Sequence, residues 1–340
     1  MATFSQYFHS VYQDDSRKDR LRSGSGKRGV PLLSKDRVNR VLVYPGSFNP
    51  PHVGHLGVLR HAFESSPDLN IVAAIVFTAD VWNIEEKNYR SGRCLVLSSD
   101  QRLELWKRDA RFPAWAFAPN YESSARLKEK IANAAMKDGY EILYVGLGGP
   151  DTWDGCPRQH AYASCAEYLI SDAARSVPFL GPDSVPQQIE GYTIWQRLEL
   201  DLQPGAEKLQ HTKRRLRNSS VKSQSHFPIV RCKVVVANQY SDLDECHEQE
   251  NTIWECFERC TVCRGNCNLG LRLRLVCKKT RDIGLLGSVT NEISSTALYQ
   301  IITQSVGKDR LRRLQNQVLS TDLFCKFLKQ NDFDECLRRR

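Results

Sequence analysis

The stretch Tyr44-Pro45-Gly46-Ser47-Phe48-Asn49-Pro50-Pro51-His52-Val53-Gly54-His55-Leu56 decides how this chain of 340 residues is read. It follows the apolar run Val41-Leu42-Val43 and precedes Leu56, Val58, Leu59, Ala62 and Phe63, which fall on one face of a helix. A buried strand therefore empties through a glycine-bearing turn into a helix. Gly46 lets the backbone approach a ligand closely, and the unpaired N–H groups and positive dipole end of a helix attract anions. His52 and His55, three residues apart, can both reach that crevice and donate to phosphoryl oxygens where charge builds up in a displacement. The pattern suits a polyphosphate.

Outward from this stretch the chain alternates strand-like and helix-like segments, which predicts an α/β fold with a Rossmann-like open parallel sheet and helices on both faces. Expected strands are Arg40–Tyr44, Ile71–Phe77, Trp115–Ala118, Ile142–Val145, Ile229–Val236 and, at an edge, Leu271–Val276. Expected helices are Phe4–Tyr12, Gly54–Ser65, one capped by Ser98 or Ser99 and reaching Arg108, Ser123–Lys137, Tyr162–Ser176, Ser294–Val306 and Asp309–Lys329. Polar loops are expected over Glu86–Arg93 and Pro178–Pro186. An open sheet binds ligands at the carboxyl ends of its strands, so the Gly46–His55 and Gly146–Asp151 segments are expected on one edge.

Several of these segments together resemble a known family. Gly46–Leu56 is similar to the GxFxPxHxGH signature of the nucleotidyltransferase superfamily, and Ser47-Phe48 with Asn49 resembles its nicotinamide-mononucleotide adenylyltransferase branch. Four further segments agree in order: Leu97–Leu105 with its Arg102, the pair Tyr121-Glu122, Val145–Trp153 (VGLGGPDTW), and Ile293-Ser294-Ser295-Thr296, which matches the start of an ISSTxxR motif. The resemblance implies transfer of an adenylyl group from ATP to nicotinamide mononucleotide, giving NAD and pyrophosphate by in-line displacement without a covalent intermediate. It implies catalytic roles for His52 and His55, and ATP contacts from these two with Gly46, Ser47, Phe48, Gly146, Asp151, Ser294, Ser295 and Thr296. Acceptor contacts would come from Tyr121, Glu122, Trp153 and Arg102, and Mg2+ would accompany ATP as a shared counter-charge.

The chain departs from the family where the motif's Arg would stand, at Tyr299. Tyr cannot replace a bidentate anion clamp, and Lys308 and Arg310 are the nearest cations that could. Two alternatives stay open: the same fold with another phosphate acceptor, phosphopantetheine or a CTP-dependent phosphoalcohol, or a catalytically impaired nucleotide-binding scaffold, which Tyr299 would suit.

Domain organisation is read as an arm at 1–37, poorly ordered and basic, a nucleotidyltransferase domain at 38–310, and a C-terminal helix within 311–340. Inside the domain lie a basic linker, 204–226, and a Cys-rich insertion, 240–270. The net charge of +9 concentrates at Arg17–Arg40, Lys208–Lys222 and Arg338–Arg340. No aromatics interleave with these cations as stacking platforms, so nucleic acid is not an expected partner; a positive surface would gather anionic nucleotides. Lys213–Arg217 reads either as a nuclear-import signal or as plain linker. No apolar run approaches the ~20 residues of a membrane span. With no signal-peptide core and with Asp14, Asp15 and Asp19 near the start, a cytoplasmic or nuclear location is expected, and self-association stays open.

Twelve cysteines in such a chain argue for thiols or metal rather than a disulfide framework. Cys260-Thr-Val-Cys263-Arg-Gly-Asn-Cys267 could hold structural Zn2+, completed by Cys246, His247 or Cys256. Cys256, Cys260, Cys263 and Cys267 also stand at helical spacings, so a buried helix face is the competing reading.

Overall fold

The computed structural model of the chain describes residues 2–12, 31–119, 124–149, 165, 167–174, 185–189, 192–198, 251–257, 272–278, 294–331 and 333. Among them, eight strands make one sheet in the order β3-β2-β1-β4-β5-β8-β7-β6. They are β1 Asn39–Gly46, β2 Ile71–Thr78, β3 Ala116–Phe117, β4 Ile142–Gly148, β5 Glu167–Ser171, β6 Gln196–Leu198, β7 Asn251–Phe257 and β8 Arg272–Lys278. The six from β3 to β8 in that order run parallel, and β7 then β6 pair antiparallel at the far side. This is the mostly parallel α/β sheet expected from the alternation of the sequence.

Strand composition explains burial. In β2, Val72 to Val76 are all at 1 % exposure or less, as a strand covered on both faces requires. In β1 the side chains alternate: Val41 and Val43 face one core with α1 (Phe4–Val11) and α5 (Ser124–Lys137), whereas Leu42 and Tyr44 face another with α2 (Val53–Glu64) and α4 (Ser99–Arg108). A third cluster joins Leu95, Leu97 and Leu105 to α6 (Ser295–Gln304), α7 (Gly307–Leu314) and α8 (Thr321–Gln330).

Strand order fixes where the chemistry can sit. The chain moves outward from β1 to β2 and β3, then returns to place β4 on the other side of β1. The carboxyl ends of β1 and β4 thus flank a topological switch point, where open sheets bind ligands.

Several expectations require correction. The N-terminal arm carries α1, whose Phe4 and Phe8 are fully buried and pack against Phe117, Phe8 stacked and Phe4 tilted, so this part belongs to the core. The polar loop expected at Glu86–Arg93 is largely helix, α3 (Val81–Ser91), ended by Gly92 at φ +65. Tyr162–Ser176 was expected as helix, but Glu167–Ser171 is β5; Tyr168, Leu169 and Ile170 are buried where β5 pairs with β4 and β8, and short apolar runs do not distinguish the two states. β8 is an interior strand, because acidic partners neutralise the basic residues that suggested an edge. The C-terminal helix is two helices, α7 and α8, separated by residues 315–320. Gly146 lies inside β4, opposite Val43 and Tyr168, so the strand runs two residues further before its loop.

The expected Cys-rich insertion contributes β7 to the sheet, and Cys256 stands on that strand rather than on a helix face. Cys246, Cys260, Cys263 and Cys267 lie outside the described residues, as do Ile229–Val236, the linker 204–226, and Tyr121, Glu122, Asp151 and Trp153. Among the described residues no helix is long and apolar enough to cross a membrane.

Candidate active site

β1 ends at Gly46, and the next six residues turn the chain into α2. A Cβ on Gly46 would stand 2.6 Å from the Phe48 ring, so only glycine lets this turn close. Phe48 itself takes φ 44, a left-handed conformation rare for an aromatic residue and retained where surrounding structure enforces it. Its buried ring packs edge-on against Tyr44, Trp106 and His55, with centroids 5.2, 5.3 and 4.9 Å away.

Two side chains hold the turn, Asn49 from within it and Arg102 from α4. Asn49 donates through Nδ2 to the Leu95 carbonyl at 2.6 Å and accepts through Oδ1 from the Leu97 N–H at 3.0 Å. Arg102 on α4 is fully buried. It donates to the carbonyls of Ser47 at 2.8 Å, Ala79 at 2.7 Å and Leu97 at 3.1 Å, tying the ends of β1 and β2 to the start of α4. Burial lowers its pKa to about 10, opposed by the charge of Asp80, so it remains a cation at neutral pH. α4 begins with a capping box: the Ser98 hydroxyl accepts from the Gln101 N–H, and the Gln101 side chain accepts from the Ser98 N–H.

His52 is the N-cap of α2 and is 3 % exposed; His55 sits one turn further. Their rings stack with centroids 3.6 Å apart, and the His52 N–H donates to His55 Nδ1 at 3.2 Å. An accepting Nδ1 places the proton of a neutral imidazole on Nε2, which is the donor form a phosphoryl oxygen requires. Both histidines, Gly46, Ser47 and Phe48 are thus gathered on one short turn at the carboxyl end of β1, beside the switch point.

The Ile293–Thr296 motif opens α6. Ser294 is the N-cap, and its hydroxyl accepts from the Ala297 N–H at 3.1 Å. Thr296 Oγ1 accepts from Arg93 at 2.7 Å. Arg93 also lies over the ring of Tyr299, 5.6 Å from its centroid, and the Tyr299 hydroxyl accepts from the Cys94 N–H at 3.2 Å. The cation delivered beside Thr296 is therefore Arg93, which the sequence pattern did not single out. Arg310 is buried and donates to the Ser305 carbonyl, and Lys308 is exposed. Gly92 is the one local signal: it ends α3 and turns the next residues toward α6. Cys94 and Leu95 are neighbours, so the α6 entrance and the Asn49 turn are linked through adjacent residues.

Among the described residues no group of three or more His, Cys, Asp or Glu side chains is placed to hold a metal ion. The buried Cys277 thiol has its pKa pushed up to about 12 by burial and by the charge of Asp172, so it stays protonated at neutral pH.

Compared with known proteins, residues 43–147 match a family described as cytidylyltransferase-like. The matched segment runs from within β1 to within β4 and includes the histidine turn, Asn49 and Arg102. It supports the nucleotidyltransferase superfamily and nucleotidyl transfer in general. No curated protein matches the chain.

Proposed function

We propose that the chain transfers the adenylyl group of ATP to nicotinamide mononucleotide. The observation that carries this reading is the pair His52 and His55, stacked 3.6 Å apart where β1 enters α2 at the carboxyl edge of a parallel sheet. In the proposed reaction the mononucleotide phosphate attacks the α-phosphorus of ATP in line with departing pyrophosphate. His52 contacts the reacting phosphoryl group, and His55 donates from Nε2 to the outgoing phosphates as their charge grows. Gly46, Ser47 and Phe48 supply backbone N–H groups, and the α6 entrance with Ser294, Ser295 and Thr296 receives the β- and γ-phosphates. Arg102 acts as a positioning residue, because its donors engage the carbonyls that shape the turn. By resemblance, Tyr121, Glu122 and Trp153 contact the acceptor and Asp151 meets ribose hydroxyls.

Incubation with Mg-ATP and nicotinamide mononucleotide should yield NAD, and His55→Ala should abolish it. The cytidylyltransferase-like match favours a second reading, CTP with a phosphoalcohol. Pyrophosphate release from CTP, with none from ATP, would select it.

A further inference from the structure

Residues 315–320, between α7 and α8, run back across the histidine turn. The Val53 N–H donates to the Gln317 carbonyl at 2.9 Å, and the Leu319 N–H donates to the Pro51 carbonyl at 3.1 Å. Together these bonds make His52 and Val318 an antiparallel bridge. Val53 opens α2, so its N–H is one of the donors a helix leaves unpaired; the crossing segment takes it up and fixes the turn on both sides of His52.

Holding the segment in this shape requires unusual backbone. Asn316 and Ser320, at its two ends, take φ 65 and φ 49. Asn adopts this region readily, but Ser does so rarely and stays there where the surroundings impose it. Here the surroundings are an ion pair just beyond α4, between buried Asp109 and half-buried Arg111. Asp109 accepts from the Arg111 side chain at 2.8 and 2.7 Å, and its Oδ2 also accepts from the Ser320 N–H at 2.8 Å. Arg111 in turn donates to the carbonyls of Val318 at 3.3 Å and Asn316 at 3.4 Å. The Ser320 hydroxyl donates to the Leu105 carbonyl on α4 at 3.1 Å. Val318 and Leu319 are fully buried beneath it.

Resting on the adenylyl-transfer reading of the histidines, we propose that residues 315–320 are a positioning strap for His52, anchored by Asp109 and Arg111. Neither anchor reaches the reacting groups. Each acts through main-chain bonds that set the direction of the His52 imidazole, where a displacement of about 1 Å costs on the order of 100-fold in rate.

The test compares Arg111→Ala, Arg111→Lys and Asp109→Asn with Tyr7→Phe, which removes a hydroxyl bonded to Asp138 on the other face of the sheet. Rates are measured with Mg-ATP and nicotinamide mononucleotide, beside thermal midpoints. Arg111→Ala should lower kcat about 10- to 100-fold with KM for ATP changed less than about 3-fold. Arg111→Lys should recover part of that loss, and Tyr7→Phe should leave kcat unchanged. Unchanged kcat in folded Arg111→Ala, or an equal loss in Tyr7→Phe, would overturn the strap. Histidine imidazole resonances, titrated with pH, give the answer even for a parent protein that forms no NAD. Movement of the His52 and His55 signals in Asp109→Asn and Arg111→Ala, but not in Tyr7→Phe, supports the strap, and unmoved signals refute it.

Discussion

The two ends of the parallel strands use arginine in opposite ways. At the amino end, Arg40 pairs with Glu167 at 2.6 Å, and Arg272 reaches both Glu167 at 3.5 Å and Glu255 at 2.5 Å. Arg274 completes the row, bonded to Glu255 at 2.7 Å and to Asp68 at 2.7 Å. Three cations and three carboxylates thus cross from β1 through β5 and β8 to β7, and their charges cancel. At the carboxyl end, Arg102 hydrogen-bonds to carbonyls, so it shapes a turn without bonding to a carboxylate. Neutralised charge sets strand register; a cation spent on carbonyls fixes backbone and keeps the edge hospitable to anions.

Substitutions at the two ends should therefore separate activity from stability. The largest effect is expected from His55→Ala, with NAD formation reduced at least about 100-fold and the unfolding midpoint little changed. An equal loss of rate from a variant at the amino end would erase the distinction. Arg102→Met should cost about 3–5 kcal/mol in denaturant unfolding, because the carbonyls of Ser47, Ala79 and Leu97 lose their donor, and should also reduce activity. Lys at this position restores charge but not the fork, so Arg102→Lys should recover little.

At the amino end, Arg274→Ala should cost a similar or slightly smaller amount, about 3 kcal/mol, by stranding Glu255 and Asp68, with KM and kcat retained per folded molecule. pH sharpens the same contrast. Burial alone would raise the Asp68 and Glu167 carboxyls, but hydrogen bonds and charge from Arg274, and from Arg40 and Arg272, outweigh it and hold them below their ordinary 3.8 and 4.5. Carboxyls depressed in the folded state stabilise it above the unfolded values, and that contribution is lost as pH falls through the folded ones. Acid unfolding should thus steepen below about pH 4.5, and Asp68→Asn should flatten it. The smallest effect belongs to Tyr299→Phe, about 1 kcal/mol, from removing the acceptor of the Cys94 N–H.

How much of this was legible in the sequence follows from the range of each interaction. The histidine turn, α2 and β2 are local patterns, a glycine-bearing turn between a strand and a helix followed by a continuous apolar strand, and the structure places them within a residue or two of expectation. β5 and β8 depended on partners far along the chain. Tyr168–Ile170 reads as well for helix as for strand until β4 and β8 flank it, and Arg272 and Arg274 read as exposed until Glu255 and Asp68 meet them. At the site, the histidines were legible because their chemistry is concentrated in thirteen residues. Arg93 and Arg111 were not, because a solvated surface cation and a half-buried clamp look alike without the fold. The strap was least legible, since its pattern of hydrophobic residues continues that of a helix and only Asn316 and Ser320 break it.

The most direct test of the central claim follows the label from ATP carrying radioactive phosphorus at the α-position, with nicotinamide mononucleotide and Mg2+ present. The account predicts label in the dinucleotide, none in pyrophosphate, none bound to the protein, and none transferred by His55→Ala. Label retained in unreacted ATP while the protein binds it, or label attached to the chain, would contradict in-line adenylyl transfer at the histidine turn.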